Sequence, residues 1–279
     1  MTAAPAQVLG EAAHAELALP EVIGHRGAAA HTPENTLAGF RRAQALGCRW
    51  VEFDVRLTGD REPILLHDDR LSRTTDGHGK ASTLSLEAVR RFSAGAWFGA
   101  RFAAERVPTL REALTLVAEL GLGANVELKA VRGREAETGK VVADMLLRYW
   151  PPGMPDLLLS SFHPAALAAT GIRAPGIARG ILFGVIPKRW RAIAEELGCA
   201  TIQASHQRLN PAVVASVRVA GYPLLAYTVN DPARATTLFA WGVTSVFSDN
   251  PARLYSAPLG SRSQLIAGDA RRWEECREG

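Results

Sequence analysis

Short apolar segments alternate with longer amphipathic segments along most of this chain, and that alternation limits the folds it can adopt. The apolar segments are rich in strand-forming residues, whereas the longer segments carry apolar residues at helical spacing. We predict strands at residues 21–24, 50–57, 63–66, 124–129, 157–161, 177–183, 201–204, 223–229 and 245–248. Repeated strand–helix units predict a parallel sheet whose strands are connected by helices.

The boundaries of the predicted helices carry ordinary start and stop signals. Thr109 precedes Glu112 at the spacing of a capping box, and Asn210 and Asp231 each precede a proline at a helix start. Glycines follow four of the helices, at Gly121, Gly198, Gly221 and Gly242. We predict helices at residues 35–46, 86–92, 109–120, 135–149, 164–170, 189–197, 211–220 and 232–241.

The number of strand–helix units and the chain length together favour one closed barrel. The chain has 279 residues, and a (β/α)₈ barrel needs roughly 250. No GxGxxG motif follows the first strand, which disfavours an open dinucleotide-binding sheet. We therefore predict a (β/α)₈ TIM barrel as a single domain at residues 21–262, with a small insertion at about residues 68–108 in an early βα connection. Residues 1–20 and 263–279 are predicted tails.

Composition excludes several classes of function. The formal net charge of +4 is a small excess, and the basic residues form no stripe interleaved with aromatic residues, so we expect no nucleic-acid partner. The three cysteines, Cys48, Cys199 and Cys276, lie far apart, which disfavours both a disulfide framework and a zinc site. Cys48 and Cys199 are predicted to be small buried apolar residues.

The first twenty residues lack the basic start and unbroken apolar core of a signal peptide. No apolar run approaches the ~20 residues that a membrane span requires. We therefore expect a cytoplasmic protein without a stable membrane anchor, and the sequence leaves the oligomeric state open.

Carboxylates at predicted strand positions form a candidate metal site. Glu52 and Asp54 share one face of a strand because side chains alternate along it, and Glu127 lies in a later strand. Buried carboxylates are costly unless they are paired or bind metal. One interpretation is an ion pair with a nearby arginine, and the one we favour is a divalent cation held by all three. Oxygen ligands of this kind suit Mg²⁺ or Ca²⁺, with Mn²⁺ a third candidate.

Histidines and basic residues at neighbouring strand ends suggest catalysis on a phosphate. In a barrel the carboxyl ends of the strands converge on one site. His25 and His67 lie at such ends and could transfer protons, because histidine titrates near neutral pH. Arg26 offers a planar fork to a phosphate group and Lys129 a point charge. A salt bridge from Arg26 to Glu52 or Glu127 is the alternative for that arginine.

Nine short motifs in this order resemble the glycerophosphodiester phosphodiesterase family. They are His-Arg-Gly at 25–27, Pro-Glu-Asn-Thr at 33–36, Glu-Phe-Asp-Val at 52–55, His-Asp-Asp at 67–69, Arg-Thr-Thr at 73–75, Val-Pro-Thr-Leu at 107–110, Val-Glu-Leu-Lys at 126–129, Tyr-Thr-Val-Asn at 227–230 and Ser-Asp-Asn-Pro at 248–251. The resemblance covers about residues 22–254 and is greatest to cytosolic bacterial enzymes. It implies a TIM barrel with a small insertion.

The resemblance also implies roles for individual residues. The metal ligands of the family correspond to Glu52, Asp54 and Glu127. Its catalytic histidines correspond to His25 and His67, and its phosphate-binding residues correspond to Arg26 and Lys129. Asn35 is expected to cap the first helix and Glu34 to support the site. Tyr227 departs from the family, in which tryptophan often occupies that position, and the change affects the shape of the pocket more than its chemistry.

The implied activity is metal-dependent hydrolysis of glycerophosphodiesters, such as glycerophosphocholine or glycerophosphoethanolamine, to glycerol 3-phosphate and an alcohol. Such an enzyme serves lipid and glycerol metabolism. The sequence leaves open which histidine is the acid and whether the glycerol 2-hydroxyl or water attacks. Two alternatives are a non-catalytic phosphate-binding protein and a related phospholipase that acts on intact lipids. The phospholipase would need an apolar lip, which Trp97, Phe98 and Phe102 could form unless they pack against the barrel.

Overall fold

The computed structural model describes residues 17–150, 153–154 and 156–257, and its strands form one sheet. Most of the two predicted tails, together with Cys276, therefore lies outside the described residues. The strands of the described residues are β1 (Val22–Gly24), β2 (Trp50–Leu57), β3 (Pro63–Leu65), β4 (Gly123–Leu128), β5 (Leu157–Ser161), β6 (Ala178–Phe183), β7 (Thr201–Ser205), β8 (Leu224–Tyr227) and β9 (Ser245–Ser248).

Helices follow most of the strands and surround the sheet. They are α1 (Leu37–Ala45), α2 (Leu86–Val89), α3 (Leu110–Glu119), α4 (Glu135–Tyr149), α5 (Pro164–Arg173), α6 (Trp190–Glu196), α7 (Pro211–Val219), α8 (Pro232–Trp241) and α9 (Pro251–Tyr255). The sequence did not predict α9. No helix of the described residues is long and apolar enough to cross a membrane.

Strand β1 closes the sheet into a barrel because it pairs in parallel with β9 on one side and with β2 on the other. Gly24 lies opposite both Ser248 and Val51. The eight parallel strands form a (β/α)₈ TIM barrel, which confirms the predicted fold class. Strand β3 lies outside this ring, since it runs antiparallel to β2 with Leu65 opposite Val55. The sequence predicted an extended segment there but not the hairpin.

The alternation along β2 separates the two faces of the barrel wall. Phe53 packs against Phe40 of α1, with ring centroids 5.2 Å apart, and so points toward the helices. Glu52 and Asp54 consequently point into the barrel. A separate apolar cluster also lies along the barrel strands, and its buried members are Ile23, Trp50, Leu158, Leu225 and Phe247.

The segment between β3 and α3 has a small core of its own. It contains α2 and three 3₁₀ helices, Leu71–Arg73, Ala81–Thr83 and Ala100–Phe102. The members of this core are buried apolar side chains, namely Ile64, Leu66, Leu71, Ala81, Val89, Ala94 and Val107. The bounds of 68–108 for an insertion, and of 21–262 for the domain, remain predictions.

Local signals in the sequence explain several helix boundaries. Thr109 and Glu112 form the predicted capping box at the start of α3, and Asn210 and Asp231 cap α7 and α8. Gly242 ends α8 with a φ of 102°, a left-handed conformation that glycine adopts without steric cost. Cys48 and Cys199 are buried and free, as predicted.

We expect Thr109→Ala to lower the free energy of unfolding by about 1 kcal/mol, because it removes the oxygen that accepts the Glu112 N–H at the start of α3. Urea denaturation measures the change. Thr236→Ala is the matched control: its exposed hydroxyl only donates back to Pro232 O within α8, so its effect should stay within about 0.5 kcal/mol. Equal losses in the two variants would contradict the capping argument.

We expect Glu112→Gln to destabilise the protein near neutral pH, with a difference from the wild type that shrinks in acid. Burial raises the pKa of Glu112, but hydrogen bonds from Arg90 and Thr109 outweigh burial and hold that pKa below its ordinary value of 4.5. A lowered folded-state pKa contributes stability above the ordinary value, and this contribution disappears as the pH falls through the folded-state pKa. Urea unfolding near neutral pH and at steps below 4.5 tests this, and a constant difference would refute it.

Candidate active site

Three carboxylates meet inside the barrel at adjacent positions of β2 and β4. The two strands are paired so that Asp54 lies opposite Glu127, and Glu52 points to the same interior. All three side chains are buried, and one oxygen of each lies within 4.8 Å of the others. The structure therefore brings together the three residues that the sequence proposed as metal ligands, in a group that could hold a metal ion.

Burial and mutual repulsion oppose the ionisation of two of these carboxylates, and this is visible in their pKa values. Burial, followed by the charges of Asp54 and Glu127, raises the pKa of Glu52 well above its ordinary value. Burial and Asp54 likewise raise the pKa of Glu127 to about 7. Burial also raises the pKa of Asp54, but the charges of Lys129 and Arg26 outweigh it and lower that pKa.

The oxygen atoms of the three carboxylates fit a divalent cation. Glu52 Oε1 is buried and accepts no hydrogen bond from the residues that the structure describes. An acceptor left in this state is costly unless something else binds it. Three carboxylate groups provide the hard oxygen ligands that Mg²⁺ and Ca²⁺ prefer.

Two cationic side chains lie beside the carboxylates. Lys129 Nζ is 2.5 Å from Glu127 Oε1 and 3.3 Å from Asp54 Oδ1. Arg26 Nε is 3.3 Å from Asp54 Oδ2, and Arg26 Nη1 donates to Glu34 Oε1 at 2.7 Å. The guanidinium of Arg26 thus forms ion pairs, although its partners are Glu34 and Asp54 rather than Glu52 or Glu127.

Two residues with left-handed backbone conformations shape the loop after β1. Arg26, at a φ of 50°, donates its backbone N–H to Glu52 Oε2 at 3.0 Å. Asn35, at a φ of 55°, donates its side-chain amide to Asp54 Oδ2 and accepts the Asp54 backbone N–H. Non-glycine residues in this conformation are uncommon and concentrate at functional sites. The prediction that Asn35 caps the first helix is wrong, because Thr36 is the cap.

His25 directly follows β1 and is held by the end of the last barrel strand. Its Nδ1 lies 2.6 Å from Asp249 Oδ1, so the ring donates a hydrogen bond to that carboxylate. Asn230 holds the other carboxylate oxygen through its side-chain amide, at 2.9 Å. The second ring nitrogen, Nε2, lies 3.8 Å from Glu52 Oε2. His25 therefore presents Nε2 toward the carboxylates.

His67 follows β3 and has a similar neighbour. Its Nδ1 lies 2.7 Å from Asp68 Oδ1. Burial is the largest cause of the shift in its pKa, which lies below the ordinary value despite the opposing charge of Asp54. In both histidines the contact with a carboxylate leaves Nε2 free to face a reacting group.

A cavity of about 160 Å³ joins these groups. Six of the predicted site residues line it: His25, Arg26, Glu52, His67, Glu127 and Lys129. Its other wall is formed by Phe162, Leu182, Gln203, Tyr227, Thr228 and Phe247. Asp54, the seventh predicted residue, is 1% exposed and lies beneath the cavity, where it contacts Lys129 and Arg26.

Sequence reasoning missed the two carboxylates that hold the histidines, and of the apolar wall it identified only Tyr227. In the sequence, Asp249 and Asp68 stand out only as members of the motifs at residues 248–251 and 67–69. Phe162 and Tyr227 stack edge to face with centroids 6.0 Å apart, and Lys129 Nζ lies 5.6 Å from the Phe162 ring centroid. Barrel closure could have revealed Asp249, since the residue after the last strand must lie beside the residue after the first.

Sequence and structure comparisons agree on the family. Residues 25–253 match the model of the glycerophosphoryl diester phosphodiesterase family. The Bacillus subtilis protein YhdW is 32% identical over 241 residues, which are 82% of this chain and 94% of that protein. A glycerophosphodiester phosphodiesterase of Caldanaerobacter subterraneus is 30% identical over 84% of this chain and 95% of its own length.

A solved structure is similar as well. The phosphodiesterase of Oleispira antarctica, determined in complex with the product sn-glycerol-3-phosphate, superposes with a TM-score of 0.83 and is 40% identical. The match covers 85% of this chain and 96% of that one. The chain therefore belongs to the glycerophosphoryl diester phosphodiesterase family, and it is a hydrolase of phosphoric diesters.

Proposed function

We propose that the protein hydrolyses glycerophosphodiesters such as glycerophosphocholine and glycerophosphoethanolamine, in a metal-dependent reaction that uses His25 and His67 for proton transfer. The observation that carries this proposal is the cavity in which both histidines, both cations and two of the three buried carboxylates meet. The relative from Oleispira antarctica, whose structure contains sn-glycerol-3-phosphate, supports glycerol 3-phosphate as one product.

Glu52, Asp54 and Glu127 would hold the divalent cation. When bound, such a cation withdraws charge from a phosphoryl oxygen and lowers the pKa of an attacking hydroxyl group. Mg²⁺, Ca²⁺ and Mn²⁺ all accept oxygen ligands of this kind.

Arg26 and Lys129 would bind and orient the phosphodiester. Both border the cavity and are partly exposed in it, with 16% and 15% of their side chains accessible. Each is already surrounded by carboxylates, so each keeps its positive charge. A phosphate oxygen that enters the cavity would therefore meet two positively charged side chains whose orientation is already fixed. Such an arrangement stabilises the negative charge that develops in the transition state.

His25 and His67 would divide the two proton transfers. One ring accepts the proton of the attacking hydroxyl, and the other donates a proton to the leaving alkoxide. In-line displacement requires the attacking and leaving oxygens on opposite sides of phosphorus. His25 follows β1 and His67 follows β3, so the two rings reach the cavity from different segments of the chain. Asp249 and Asp68 keep Nδ1 of each ring occupied, so that Nε2 performs the transfer in both.

We expect the purified protein to release glycerol 3-phosphate from glycerophosphocholine, to lose this activity after EDTA treatment and dialysis, and to regain it with Mg²⁺, Ca²⁺ or Mn²⁺. An enzyme-coupled assay for glycerol 3-phosphate, run with several head groups, measures all three steps. Activity that survives complete chelation would contradict the metal assignment. Release of the head group from phosphatidylcholine vesicles, without release of glycerol 3-phosphate from glycerophosphocholine, would favour the phospholipase alternative instead.

We expect His25→Ala and His67→Ala each to lower kcat by ~10²–10⁴-fold, the usual contribution of a general acid or base. His206→Ala is the matched control, because that histidine contacts Arg234 and does not line the cavity, and its kcat should stay close to that of the wild type. Metal binding measured by calorimetry should persist in both site variants. Wild-type turnover in both variants would reject the proton-transfer roles.

Cytoplasmic location and the domain limits of residues 21–262 also remain predictions. Cell fractionation checks the first. Limited proteolysis followed by mass spectrometry checks the domain limits. If the limits are right, cleavage should concentrate outside residues 21–262.

A further inference from the structure

Arg73, which ends the 3₁₀ helix Leu71–Arg73, connects two carboxylates through both edges of its guanidinium. Nε and Nη2 donate to Asp68, at 2.6 Å from Oδ2 and 3.0 Å from Oδ1. Nη1 and Nη2 donate to Glu34, at 2.7 Å from Oε2 and 2.8 Å from Oε1. A planar guanidinium that forms bidentate hydrogen bonds with two carboxylates is held in one orientation, and it holds both carboxylates in its plane.

Each of these carboxylates also contacts a residue of the site. Glu34 Oε1 accepts the hydrogen bond of Arg26 Nη1, and Asp68 Oδ1 accepts that of His67 Nδ1. The side chains consequently form a continuous series from the phosphate-binding residue to one histidine: Arg26, Glu34, Arg73, Asp68 and His67. Its two ends come from different parts of the chain, the loop after β1 and the segment after β3.

We propose that Arg73 is a positioning residue, which fixes Arg26 and His67 relative to one another through Glu34 and Asp68. This inference rests on the proposed function of those two residues. Arg73 itself does not line the cavity, so its effect on the reaction passes through its partners.

Arg73 shares one oxygen of each carboxylate that it binds with a residue of the site. Glu34 Oε1 and Asp68 Oδ1 each accept two hydrogen bonds, one from Arg73 and one from a site residue. Without Arg73, the 31% exposed Asp68 side chain could rotate toward water and release the His67 ring. Glu34, whose side chain is 10% exposed, would keep Arg26 as its ion-pair partner and could draw it out of its present orientation.

A purely structural role is the competing explanation, because Arg73 also joins the segment between β3 and α3 to the rest of the barrel. Arg90 provides a matched control for that role. It lies next to α2 in the same segment, and its Nη1 donates to Glu112 Oε2 at the start of α3, at 2.6 Å. It therefore attaches the same segment to the barrel but has no link to the site.

The experiment compares Arg73→Ala, Arg73→Lys and Arg90→Ala in steady-state hydrolysis of glycerophosphocholine at saturating metal. We expect Arg73→Ala to lower kcat by about 10–100-fold, the usual effect of removing a residue that orients a functional group, with a KM change of only a few-fold. The kcat of Arg73→Lys should also stay below that of the wild type, since an ammonium group cannot form bidentate hydrogen bonds with both carboxylates. Arg90→Ala should keep kcat within about two-fold, because it disturbs no residue of the site.

Chemical rescue separates positioning from stability. Added methylguanidinium should restore part of the kcat of Arg73→Ala and leave Arg73→Lys and Arg90→Ala unchanged. Thermal unfolding of each variant shows whether an activity loss merely follows a loss of folded protein, and Arg73→Lys covers the case in which Arg73→Ala does not fold.

The outcomes distinguish this inference from the function on which it rests. An active wild type with equal kcat values for Arg73→Ala and Arg90→Ala, or a kcat loss that follows the unfolded fraction, overturns the positioning role alone. A wild type that releases no glycerol 3-phosphate from any head group overturns the proposed function and the positioning role with it.

Discussion

The burial of three carboxylates inside the barrel is the constraint on which the rest of the site depends. Carboxylates at such short separations repel one another, and burial removes the water that would weaken the repulsion. The protein offsets this cost with Lys129, the Arg26 guanidinium and the backbone N–H of Arg26. The amide of Asn35 adds another donor. Two of these donors come from left-handed positions in the loop after β1, because Arg26 and Asn35 both contact the carboxylates in that backbone conformation.

Barrel closure determines which residues hold His25, whereas a local segment determines which residues hold His67. His25 and Asp249 are 224 residues apart and meet because β1 pairs with β9. His67 and Asp68 are adjacent in the chain, and the orientation of Asp68 depends on Arg73. The first pair therefore depends on the pairing of the sheet, while the second depends on the conformation of the segment between β3 and α3.

The sequence predicted the barrel and most of its strands because the local pattern and the burial agree. Strand β2 was predicted at its observed limits, and its alternation of acidic and apolar residues correctly indicated an acidic interior face. Where local and long-range demands conflict, the prediction was wrong: Asn35 is a good helix cap by composition, yet its amide is used by Asp54. The hairpin of β3 and the partnership of His25 with Asp249 depend on pairings that no local pattern reveals.

Ion pairs at partly exposed positions are usually weak, because holding two long side chains in place costs entropy and water screens their charges. The network around Arg73 differs from such pairs in two respects. Its hydrogen bonds are bidentate at both carboxylates, and Leu71, two residues before Arg73, is fully buried in the small core of its segment. The Thr75 hydroxyl also donates to Leu71 O, which fixes the backbone on the other side of Arg73. Since that small core already orders the backbone, the charged groups lose less freedom on pairing, and apolar packing outside the barrel thereby stabilises a polar arrangement at its mouth.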